Sequence, residues 1–258
     1  MHAASCQCVK NCELCAGTNI ILADGMGKVC FEPNPRLIVQ RMNGAGIPAR
    51  FADSSFDNFT NYTGNIGAQV EYVRQWLADF AAIGGRGLLL SGPVGLGKTH
   101  LLVSIAKELI VRRVGVKFVD FFQLLSNLKG GFARMQSETS VLQPLIDVDV
   151  LIIDEMGKGR NSEWERCVLD QLVMGRYNCN KSIIASTNYI LHTPTGKEMS
   201  KVNSNLEDGS ADNFSVRELG ALIGSRTFSR LAQMTEFLEL EGEDFRRKNQ
   251  NMWLKGTS

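Results

Sequence analysis

The chain has 258 residues, is 44% hydrophobic and carries a formal net charge of +1. That is enough for one sizeable core plus a small appendage, with no global field drawing the protein onto nucleic acid, so any DNA contact requires a local basic patch. No apolar run approaches the roughly 20 residues that span a bilayer, and the opening MHAASCQCVK lacks the apolar stretch of a secretion signal; the expectation is a cytoplasmic protein with no membrane partner.

In chain order, the first feature is thiols. Cys6, Cys8, Cys12 and Cys15 are followed by Cys30, and clustered cysteines in a long intracellular chain point to metal rather than disulfides. Thiolates at this spacing suit a tetrahedral Zn²⁺, and so short a segment needs a metal to fold. Cys12 and Cys15 are the safest ligands, and Cys8 and Cys30 are favoured over Cys6. Cys30 would return across a hairpin turned at Asp24-Gly25. Free thiols in a tail and an iron–sulfur cluster are the alternatives. The expected division is a Cys-rich module over 1–35, a linker over 36–65 and the main domain over 66–258.

Arg36 to Asn43 fits one short helix, and Gly44 to Phe59 reads as an extended connector. From about Gly67, Val70, Val73, Trp76, Leu77 and Phe80 share a helical face. The remainder alternates. Strands are expected at Gly87–Ser91, Val116–Val119, Val148–Ile153, Ser182–Ser186 and Phe237–Leu240. Helices are expected over 98–111, from Asp120 through Leu128 with a stop at Gly130-Gly131, and over 163–177, where Cys167 falls in the core pattern. Apolar strands alternating with helices imply an α/β fold with a parallel sheet covered on both faces. The polar stretch His192 to Phe214 is long for a loop.

Gly92-Pro93-Val94-Gly95-Leu96-Gly97-Lys98-Thr99 fits G-x-x-x-x-G-K-[ST] without mismatch, between a strand and a helix. Glycines let the backbone curl so that successive N–H groups point at phosphate oxygens, and the next helix offers its positive end to the same charge. Lys98 is expected on the β- and γ-phosphates of ATP and Thr99 on Mg²⁺. These eight residues and the following His100 are the expected nucleotide contacts.

LIIDE puts Asp154 and Glu155 at the end of an apolar strand, the edge where open α/β sheets bind ligands. Asp154 is expected in the Mg²⁺ shell and Glu155 is expected to polarise the attacking water. Alone, two acids at a strand end are usually only exposed. Asn188 or Thr187, after the next strand, is placed to orient the water or meet the γ-phosphate; a plain strand-exit role competes evenly. Arg226 and Arg230 share a side if helical. They fit either a solvated basic face or an arginine finger reaching a neighbouring subunit.

Taken together, GIPARFADSSFDNF, GPVGLGKTHLL, VLIIDEMG, SIIASTN, GSRTFSRL and LEGEDFRRK resemble the AAA+ ATPases, specifically the DnaC/DnaI/IstB group of helicase loaders and transposition ATPases. The resemblance covers about Arg36 to Arg246. It implies a five-stranded parallel core without a C-terminal lid, ATP bound between subunits of a self-oligomer, Asn188 as sensor I, and Arg230 as the arginine finger with Arg226 second. It also implies a helix, here Phe121 to Arg134, lining a channel for single-stranded DNA, with Lys129 and Arg134 as its basic residues. In that group a Cys-rich amino-terminal module contacts the helicase. Three functions follow: a loader that delivers a replicative helicase hexamer to single-stranded DNA; a transposition or phage ATPase that assembles on duplex DNA and recruits a recombinase; and a nucleotide switch with negligible turnover, which the intact Asp154-Glu155 pair argues against.

Overall fold

The computed structural model describes residues 20–23, 26–29, 35–61, 63–81, 83–132, 137–191 and 215–245. β1 (Ile20–Ala23) and β2 (Met26–Val29) pair antiparallel, with Ala23 opposite Met26 and Ile20 opposite Val29. The turn expected at Asp24-Gly25 and all five amino-terminal cysteines lie outside the described residues.

The main sheet has five parallel strands in the order β4-β5-β6-β3-β9. They are β3 (Gly87–Ser91), β4 (Val116–Asp120), β5 (Val150–Asp154), β6 (Ser182–Thr187) and β9 (Thr235–Glu239). Every residue of β3, β5 and β6 is buried, because side chains alternate between two covered faces. One core takes Leu88, Leu90, Val150, Ile152 and Ile184; the other takes Leu89, Leu151, Ile153, Ile183 and Ala185. Each Val, Leu or Ile among them contributes about 1.5–3 kcal/mol of burial.

The first core is closed by α1 (Pro35–Gly44), α2 (Ile66–Asp79) and α3 (Lys98–Val111). The expected connector between α1 and α2 is not simply extended. It makes a short 3-10 turn over Ala49–Phe51 and buries Phe56 and Phe59 in this core. Lys107 of α3 fastens it by donating to the Ser54 carbonyl at 2.7 Å.

The second core is closed by α4 (Phe121–Phe132), α5 (Glu138–Asp147), α6 (Glu163–Asn178), α7 (Leu219–Ile223) and α8 (Ser225–Met234). Asp120 starts α4 by accepting the Gln123 N–H at 2.7 Å, but the helix runs through Gly130-Gly131 to Phe132 instead of stopping there. Burial of Leu124, Leu125 and Leu128 in this core outweighs a penalty of about 1 kcal/mol per helical glycine. α6 begins with a reciprocal capping box between Ser162 and Glu165. Its Cys167 is exposed, not in the core, as is Cys179 just beyond it. A short parallel pair, β7 (Tyr189–Ile190) with β8 (Ser215–Glu218), flanks the 192–214 segment, which lies outside the described residues.

Arg176 of α6 is fully buried. Its guanidinium donates to the carbonyls of Leu145, Ile146, Val148, Asp149 and Ser182 at 2.6–3.1 Å. One side chain therefore ties the end of α5 and the entry to β5 to the start of β6. Burial lowers its pKa to about 10, which leaves it charged at neutral pH.

Candidate functional site

The site forms where β3, β5, β6 and β9 end together. After Ser91 the chain turns through Gly92, Gly95 and Gly97 at φ of +143°, +85° and +89°, conformations that L side chains resist. Space is equally restrictive. A Cβ on Gly97 would stand 2.6 Å from the Phe59 ring, and one on Gly95 would stand 1.9 Å from Asp244 Oδ1. The linker thus presses on one side of the loop. The chain after β9 crosses the other, with the Leu240 N–H donating to Ser91 O at 2.8 Å and the Phe245 N–H to Gly95 O at 3.2 Å. Gly97 caps α3 in the left-handed region, which opens the positive end of a long helix towards the loop.

Lys98 is buried and folds back on the loop, donating to Gly92 O at 2.7 Å and Pro93 O at 2.6 Å. Thr99 Oγ1 donates to Asp154 Oδ2 at 2.9 Å, so two residues 55 positions apart in sequence meet. His100 is turned the other way: its Nε2 is 2.7 Å from Ser55 O, and its ring stands edge-on to Phe59 with centroids 5.2 Å apart. It grips the linker.

Asp154 is buried, and burial raises its pKa; hydrogen bonds from the Ser186 and Thr99 hydroxyls oppose the shift, while the charges of Glu155 and Asp120 add to it. Asp120 is its register partner on β4. A desolvated carboxylate beside a hydroxyl, with two more anions nearby, is a set of hard oxygen donors short of positive charge. That chemistry fits Mg²⁺, with Thr99 and Asp154 as the residues to hold it. The glycine-rich curl and the α3 terminus likewise fit the phosphates of ATP.

Glu155 adopts φ of +54°, which costs about 1–2 kcal/mol for a residue with a Cβ. Three contacts hold it there. Its N–H donates to Ser186 Oγ at 3.0 Å, the Lys158 N–H donates to its carbonyl at 3.0 Å, and the Lys158 ammonium pairs with its carboxylate. That pairing raises the Lys158 pKa.

Thr187 is fully buried and donates to Met156 O at 2.9 Å; Asn188 follows β6 and is half-buried. Arg226 and Arg230 both lie on α8. Arg226 is exposed, whereas Arg230 stacks 5.9 Å from the Tyr177 ring centroid. Lys129 of α4 pairs with Glu165 at 3.3 Å and lies over the Trp164 ring; Arg134 lies outside the described residues. An exposed aromatic, Phe122, shares that helix.

Sequence reasoning passed over Ser186, Lys158, Phe122 and Arg176. Phe122 reads as core by composition. Lys158 carried a faint signal, three residues after Glu155. Ser186 carried another, a hydroxyl near the end of an otherwise apolar strand.

Comparison with known proteins agrees with this geometry. The Escherichia coli K12 protein named replicative helicase loader DnaC is 28% identical over 201 residues, which is 77% of this chain and 71% of that protein. Its namesake from Buchnera aphidicola of Acyrthosiphon pisum is 30% identical over 156 residues, 58% of this chain, and this chain spans only 61% of that relative's length. Among solved structures, the DnaC helicase loader superposes with a TM-score of 0.58 at 26% identity, covering 75% of this chain and all of that one. The DnaI structure shares the fold, with a TM-score of 0.52 at 18% identity over 76% of this chain and 93% of its own. Residues 40–194, more than half of the chain, match the family described as IstB-like ATP binding protein, and with its phosphate loop on a five-stranded parallel sheet of the AAA+ kind the chain belongs to that ATP-binding family.

Proposed function

We propose that this protein is an ATP-hydrolysing replicative helicase loader, which binds a hexameric helicase and delivers it to single-stranded DNA. The observation that carries the reading is the Thr99–Asp154 contact with Glu155 beside it, in a chain similar to named helicase loaders over 77% of its length. Bound Mg²⁺ supplies neutralising charge to the phosphates. Lys98 leaves its two carbonyl partners for the β- and γ-phosphates. Glu155 accepts a hydrogen bond from the attacking water, and Asn188 orients it. Arg230, or Arg226 in its place, reaches the site of a neighbouring subunit and stabilises charge on the transferring phosphoryl group. Exposed Phe122 supports single-stranded DNA stacking on α4.

The amino-terminal module over 1–35 is the helicase contact, built on Zn²⁺ and four of Cys6, Cys8, Cys12, Cys15 and Cys30. The β1–β2 pairing supports this, since it returns the chain at Val29 beside Ile20, and Cys30 is the next residue in sequence. Size exclusion with the host's own replicative helicase, with and without ATP, tests the reading beside a chain lacking 1–35. ATP-responsive co-elution that needs those residues is expected. The family name favours a second reading, an ATPase of transposition type. Large assemblies on duplex DNA without helicase co-elution would select it instead.

A further inference from the structure

We infer that Ser186 is the positioning residue of the acidic pair, a single hydroxyl that sets both the orientation of the Asp154 carboxylate and the backbone conformation of Glu155. The inference rests on the reading of Asp154 and Glu155 as the metal-holding and water-polarising groups. Ser186 is 1% exposed. It lies on β6, beside β5, where Ile153 is paired with Ala185. Its Oγ donates to Asp154 Oδ1 and accepts the Glu155 N–H at 3.0 Å, while its carbonyl accepts the Met156 N–H at 2.7 Å. Three successive residues of the β5 exit are therefore held by one residue of the neighbouring strand.

A hydroxyl has one hydrogen to give, and here it goes to Oδ1. That fixes the carboxylate plane and leaves Oδ2 to meet Thr99. The acceptor side of the same oxygen pins the amide of a residue in the left-handed region. Without it, both Asp154 Oδ1 and the Glu155 N–H lose a partner, and Glu155 is free to return to an ordinary conformation that swings its carboxylate elsewhere. Thr187 cannot take over, because its hydroxyl is committed to Met156 O and receives the Tyr189 N–H at 3.3 Å. Partners of this kind behind a metal ligand are worth about 10- to 100-fold in metal affinity or activity when removed.

The test uses the full chain with Ser186→Ala and the isosteric Ser186→Cys, each checked for an unchanged unfolding midpoint. In the nucleotide-free protein, the Glu155 amide is expected to exchange hydrogen about tenfold faster in either folded variant. A fluorescent ATP analogue is expected to bind as in wild type with EDTA present, while the Mg²⁺ concentration for half-maximal turnover rises about tenfold. Wild-type exchange and Mg²⁺ response in a folded variant would overturn the inference. So would an equal loss of nucleotide affinity with and without Mg²⁺, which marks general damage. Glu155→Gln, measured in parallel, separates the two levels. If it retains full turnover, the underlying reading fails; if it is inactive while Ser186→Ala behaves as wild type, only the role of Ser186 fails.

Discussion

The exits of β3 and β5 lie at one edge of one sheet, yet they are built differently. The β3 exit takes its shape chiefly from its own glycines at positive φ and a helix that starts at once, with the linker and the chain after β9 packed against it. The β5 exit is shaped from outside. Ser186 on β6 holds both Asp154 and Glu155, and Thr99 on α3 meets Asp154. Phosphate can be cradled by backbone alone, whereas a carboxylate must be aimed by side chains that the fold brings to it.

Four substitutions break or sharpen this contrast. Glu155→Gln should have the largest effect, with steady-state turnover falling about 10³-fold while equilibrium binding of ATP is retained; retained turnover would place the water-polarising group elsewhere. Arg176→Met removes the guanidinium that ties the β5 entry to β6. It should cost about 3 kcal/mol, since several buried carbonyls lose a charged donor. Chemical denaturation would read this directly, and a thermal midpoint should drop by roughly 6–12 °C. Lys98→Ala should weaken ATP about 100-fold by titration, with little change in stability, because the loop's shape belongs to its glycines. A large loss of stability would mean that the lysine builds the loop. Lys158→Met frees the Glu155 carboxylate from its ammonium partner and should raise turnover by about two- to fivefold, read in the same assay as Glu155→Gln. A fall would mean that Lys158 aims the carboxylate instead of holding it back.

The contrast also explains what could be read from the sequence. Strand β3, the phosphate loop and α3 were legible to the residue, because periodicity and glycine spacing encode local geometry. The placing of Asp154 and Glu155 at a strand end was legible for the same reason. What holds them was not, since Ser186 lies 31 positions beyond Glu155 and only the β5–β6 register brings it near. Misreadings followed the same division. α4 passed its two glycines because tertiary burial outweighed propensity. α5 went unrecognised because Pro144 interrupts its pattern. Cys167 took an apolar position in the periodicity but faces solvent. The His100 side chain, whose direction the sequence does not encode, turns to the linker, where Ser55 O and Phe59 meet it.

α8 ends at Met234 and β9 begins at Thr235, with no residue between them. β9 lies alongside β3 over its whole length, and the chain beyond it is bonded at Leu240 to Ser91 and at Phe245 to Gly95. The segment carrying Arg226 and Arg230 therefore runs directly into the strand and tail that border the phosphate loop. On the proposed reading of these arginines, a neighbour that pulls on them would pull on the border of that loop as well.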